Sequence, residues 1–224
     1  MPQGDFQRAR SQEAKQQRAR EILDAARELG REHGVGRVSL TDIALAVDMH
    51  KSALLRYFET REQIFLVLAA EDWREWAQDA VSRLERLANP APRSVGKLLA
   101  VSLGERPFFC DLVSHAALSL ERHVSIDTIR TFKQAALEST HAVAEQLQKR
   151  LGLTLQQAVD VVATAAYLAG SFWQVATPAP QVRDMYRADP RLRHVVADIS
   201  PRLSRILEGL LAGWTAKVAA GHSG

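Results

Sequence analysis

A chain of 224 residues holds one large domain or two modest ones, and a content of 46% hydrophobic and 25% charged residues excludes a disordered, collagen-like or acidic solvating chain. The lone cysteine, Cys110, excludes an intrachain disulfide and a cysteine-built zinc cage, and suits a reducing, cytoplasmic setting. A net charge of +3 permits a nucleic-acid partner without requiring one, so the placement of the charges must decide.

Helical periodicity runs through the chain and no stretch sustains the alternation of a half-buried strand, which predicts an all-α fold. Residues 1–11 and the last four, rich in Gly, Ser, Gln and Arg, are expected to be mobile tails. Met1 to Arg20 is polar and basic, unlike a secretory signal. In the first helix Ile22, Leu23, Ala26 and Leu29 share a face opposite Arg20, Glu21, Asp24, Glu28 and Arg31. It should end at His33, with Gly34 in the left-handed region and Val35 folding back as the apolar cap. Ser39 then offers an N-cap, and Asp42 favours the positive end of the dipole of a short second helix whose inner face is Leu40, Ile43, Ala44 and Val47. After Asp48-Met49-His50 a third helix is predicted from Lys51 to Phe58.

Longer helices follow, predicted at 62–87, 93–103, 106–120, 125–151, 154–176 and 201–218, with short ones at 181–188 and 192–199. Uncharged Val161 to Val182 has an apolar part of about 16 residues, short of the roughly 20 of a membrane span, and is read as a buried helix.

Two short helices joined by a tight turn, the second opening on polar and basic residues, are what a helix-turn-helix DNA reader needs. Leu54 and Phe58, four apart, face inward, while Ser52, Ala53 and Arg56 point outward and His50 and Lys51 sit at the exposed start. Small Ser52 and Ala53 permit close approach to base edges, and Lys51 can donate to guanine or phosphate. Arg56, Tyr57 and Arg61 are placed for phosphates, as are Ser39 and Thr41 where the second helix begins. The basic run Arg8, Arg10, Lys15, Arg18 and Arg20 offers further phosphate or minor-groove contacts.

Arg20-Glu-Ile-Leu-Asp-Ala-Ala-Arg-Glu-Leu-Gly30, then Gly36-Arg-Val-Ser-Leu-Thr-Asp-Ile-Ala44 and Leu54-Leu-Arg-Tyr-Phe-Glu-Thr-Arg-Glu62, resemble the TetR-like transcriptional regulators. The resemblance implies a three-helix DNA-binding domain at 12–61 and a helical ligand-binding and dimerisation domain at 62–220. It further implies base contacts from His50, Lys51, Ser52 and Ala53, and phosphate contacts from Thr41, Arg56, Tyr57 and Arg61. Leu55 stands where the family usually has tyrosine, and Asp48 where it usually has the glycine of the turn.

In the helix from Thr154 one apolar stripe reads Val159, Val162, Ala166, Ala169, Trp173 and Ala176, and another reads Val161, Ala165, Leu168, Phe172 and Val175. Two stripes need two neighbours, one of them a partner subunit. Val162, Ala166, Ala169 and Trp173, with Leu203, Leu207, Leu210 and Trp214 of the last helix, are the expected dimer interface. The expected pocket for an unknown, mainly apolar effector draws on Trp73, Trp76, Phe108, Phe109, Cys110, His115, Tyr167 and Phe172. Asp111 and His115, four apart, suit an in-pocket hydrogen-bonding pair or part of a metal site, and a plain satisfied or solvated histidine is the stronger expectation. No cofactor or metal is expected, and an all-helical enzyme is the weaker alternative, because the chain has no Gly-rich phosphate loop, paired-His signature or nucleophile motif. The expected partners are double-stranded operator DNA and a second copy of the chain, with no membrane.

Overall fold

Residues 3–192 and 198–221 are described by the computed structural model, with side chains over 12–192 and 198–216. Among them every regular element is a helix. Helix α1 spans Gln3–His33, so the helix runs back through most of the segment expected as a mobile tail. Its Gln, Glu, Ala and Arg residues are good helix formers, which favours continuation. Gly34 closes it as expected, at φ 86°, donating its N–H to Gly30. Val35 is fully buried in a single 3-10 turn, Val35–Arg37.

Helix α2 spans Leu40–Ala46 under a complete capping box between Ser39 and Asp42. Asp48 makes the following turn at φ 51°, in the left-handed region that favours glycine and that aspartate tolerates better than most residues. Helix α3, Lys51–Leu54, is shorter than expected. From there Arg56 and Tyr57 donate to carbonyls three residues back, a tighter winding that still brings Phe58 in beside Leu54.

Helix α4, Arg61–Arg86, is capped by Thr60, whose hydroxyl accepts the Gln63 N–H. It follows α3 after a short turn and runs along α7, Ile126–Leu151. Helices α5, Pro92–Gly104, and α6, Pro107–Ala116, each begin on proline, whose missing N–H costs nothing in a first turn. Helix α6 stops short of the predicted Leu120, which instead opens a 3-10 turn. Helix α8, Leu155–Ala176, and α10, Ile199–Gly221, complete the body, while α9, Pro180–Ala188, buries no residue. The predicted short helix at 192–199 falls mostly outside the described residues.

Two glycines set helix separations. A Cβ on Gly96 of α5 would stand 2.9 Å from the Glu208 backbone nitrogen of α10. One on Gly170 of α8 would stand 3.1 Å from the Cys110 carbonyl oxygen and the Ser114 nitrogen of α6. No helix is long and apolar enough to cross a membrane among the described residues.

Candidate functional site

Helix α2 packs on α1 and α3 on α2, with Leu54 and Phe58 turned into the core, leaving a polar outer face. His50, Lys51, Ser52 and Arg56 are exposed on it and Ala53 is half-buried beside them. Lys51 and Arg56 enter no ion pair among the described residues, so both cations are free for an external anion. Thr41 is exposed at the start of α2, and Tyr57 packs partly on the core.

Three basic or hydroxyl groups expected at phosphate are engaged inside the protein. Arg61 donates to the carbonyls of Val35 and Val38, pairs with Glu62 at 3.0 Å and lies over the Phe65 ring. It clamps the 3-10 turn to α4 and is only 17% exposed, which corrects its reading as a phosphate contact. The Ser39 hydroxyl donates to Asp42 at 2.7 Å and accepts the Asp42 N–H, so it too is committed. These bonds, the hydroxyl foremost, hold the Asp42 carboxyl below the usual carboxylate range. Arg18 of the basic run bonds the Val47 carbonyl at the end of α2.

The 3-10 turn, α6 and α8 meet at one carboxylate. Asp111 of α6 accepts the Val35 N–H at 2.6 Å with one oxygen and the Gln174 side-chain amide of α8 at 2.6 Å with the other. His115 stands 3.6 Å away and lies against Gly36. The two residues read as a hydrogen-bonding pair or part of a metal site thus join the 3-10 turn after α1 to α6 and α8.

Beside that seam opens a cleft of about 830 Å³ between the end of α1, the 3-10 turn, α4, α6, α8 and α9. Phe108, Phe109 and His115 line it as expected, and Trp173, Gln174, Asp72, Arg106 and Arg183 line it as well. Its wall is mixed and charged, not the apolar cavity expected. Gly30 brings α1 close here, because a Cβ would meet the Phe108 ring at 2.6 Å.

The other expected pocket residues lie elsewhere. Trp73 and Trp76 pack edge to face at 5.6 Å with Phe109 against both, and Trp76 donates to Ser102 at 3.1 Å, so the tryptophans fill the core. Cys110 is buried with its thiol on the Leu103 carbonyl, and burial, with Asp111 adding to it, pushes that thiol up to about 12. Phe172 is covered by the Arg202 guanidinium at 4.5 Å, and Tyr167 is exposed.

The sequence pattern missed Asp72. It lies in register with Phe65, Ala69 and Trp76 on the inner face of α4, and an acid at an apolar helical position was the available signal. The residue is 7% exposed, accepts no hydrogen bond among the described residues, and has its nearest cation, Arg27, at 4.0 Å. Burial raises its carboxyl to about 6 despite Arg27.

The expected dimer stripe needs correction. Val162, Ala166, Ala169, Leu203 and Leu207 are buried within a single protomer, leaving a partner nothing to cover. Trp173, Leu210 and Trp214 remain half-exposed. The apolar surface that stays open is the opposite face: Tyr167 and Val175 on α8 and Ile206 on α10. Gly209 and Gly213 beside it face open space.

Residues 22–68 match the family model described as bacterial regulatory proteins, tetR family, and residues 70–218 match the tetracyclin repressor-like C-terminal domain. No curated protein sequence matches the chain. Among solved structures, a fatty acid degradation regulator FadR from Bacillus halodurans is 13% identical with a TM-score of 0.57, covering 87% of this chain and 95% of its own. FadR from Bacillus subtilis in complex with stearoyl-CoA is 15% identical, with a TM-score of 0.53 and coverage of 85% and 96%. The multidrug binding protein EbrR complexed with imidazole is 17% identical, with a TM-score of 0.51 and coverage of 86% and 94%.

Proposed function

Because the chain belongs to the TetR family of DNA-binding transcription regulators, we propose that it is a homodimeric repressor that reads a palindromic operator and is released by a small effector. The observation that carries the reading is the outer face of α3, where Lys51 and Arg56 stand exposed and enter no ion pair among the described residues. In this reading His50, Lys51, Ser52 and Ala53 meet base edges, and Thr41, Arg56 and Tyr57 meet phosphates. Half-site spacing then follows from the separation of the two reading heads in the dimer.

The partner subunit covers the outer face of α8 and α10, with Tyr167, Val175, Ile206, Leu210 and Trp214 in contact and Gly209 and Gly213 allowing close helix approach. The effector occupies the cleft beside Asp111. Occupancy there bears on both sides of the seam, so a compound that binds better when the reader is tilted away shifts the population from the DNA-competent arrangement. One structural neighbour holds stearoyl-CoA and another imidazole, so ligand class follows from the lining, not from the fold.

An operator selected from genomic fragments by the purified protein provides the test. Wild type should protect a two-fold symmetric site, and the double variant Lys51→Ala, Arg56→Ala should lose it while remaining dimeric. Equal binding by the variant would refute the assignment.

A further inference from the structure

The cleft contains a carboxylate that the protein answers only with a long ion pair. Asp72 is nine-tenths buried, lines the cleft and accepts no hydrogen bond among the described residues. The nearest cation is spoken for: Arg27 sits 2.7 Å from Glu71 and 3.4 Å from Asp24, but 4.0 Å from Asp72. Arg31 pairs with Glu28, and Arg106 is turned to Asp79 at 3.5 Å. A carboxylate set in the cleft wall with no hydrogen-bond donor among the described residues is suited to a ligand that brings donors. Phe108 and Trp173, lining the same cleft, supply apolar surface for the rest of such a molecule.

We propose that the cleft binds an organic cation, a protonated amine whose N–H groups donate to Asp72 and whose apolar body lies on Phe108 and Trp173. Arg31, Arg37, Arg83, Arg106 and Arg183 also line the cleft, but all are more open to water than Asp72. A buried charge discriminates more strongly between ligand signs than a solvated one, so the acid sets the sign. As an effector site this rests on the proposed ligand response; as a binding site it stands alone.

Three probes with one ring system separate the charges: tryptamine, the neutral tryptophol and the anionic indole-3-propionate, titrated calorimetrically into the full-length protein. Tryptamine should bind at least tenfold more tightly than the other two, and Asp72→Asn should erase that preference. The variant removes a buried charge and should fold, which a melting curve checks. No tryptamine binding at millimolar concentration, preference for the anion, or preference that survives in Asp72→Asn would overturn the proposal. A parallel gel shift on the selected operator keeps the two readings apart. Asp72-dependent binding with unchanged operator affinity supports the site and sinks the release mechanism. Release by indole-3-propionate through the same cleft supports the mechanism and overturns the cation assignment.

Discussion

Arg61 shows how a residue in the right register can serve a different purpose. By charge and position it reads as a phosphate contact, yet its guanidinium holds the carbonyls of Val35 and Val38. Arg61→Ala should therefore lower stability by about 2–3 kcal/mol in urea unfolding, since two partly buried carbonyls lose a charged donor. Asp48 is the reverse case, a sequence oddity whose consequence is legible: at φ 51° the residue bears a left-handed cost that glycine would not. Asp48→Gly should raise stability by about 0.5–1 kcal/mol, read from the same unfolding curve. Asp72 carries a pH signature. Its carboxyl sits at about 6 in the folded chain against about 4 when unfolded, so folding takes up a proton between those values and native stability falls as pH rises through them. Asp72→Asn should melt higher than wild type at pH 7.5, by a margin of up to about 2–3 kcal/mol, with the difference vanishing below pH 4.

Among the elements, the three short helices and most of the long ones were legible because caps and apolar spacing are local. Ser39 with Asp42, and Gly34, each announce an end in the residues themselves. Which face of α8 and α10 turns inward was not legible, because both faces are apolar and only tertiary packing chooses between them. The structure turns Leu203, Leu207 and Leu211 onto α5 and leaves Ile206 outside. The tryptophans were misplaced for a similar reason: aromatic spacing on α4 fits a pocket wall and a core equally, and Phe109 packing on both settles it as core. Gly96 is the sharpest element-level test. Gly96→Ala would press a methyl onto the α10 backbone and should cost about 1–3 kcal/mol, measured by thermal or urea unfolding.

For the molecule as a whole, the contacts at Asp111 tie the 3-10 turn after α1 to α6 and α8, with the cleft beside them, and in the proposed reading the outer face of α8 and α10 joins two copies. Ile206→Glu with Tyr167→Glu should yield folded monomers by sedimentation, whereas Leu203→Ala, buried inside the protomer, should lose about 2–5 kcal/mol and still dimerise. The central claim is that the exposed face of α3 reads DNA, and quantitative footprinting of a selected genomic operator tests it most directly. The account predicts a symmetric protected site whose affinity falls at least a hundredfold in the Lys51→Ala, Arg56→Ala dimer, about 1–3 kcal/mol for each contact. Protection of the same site at unchanged affinity by that double variant would contradict it.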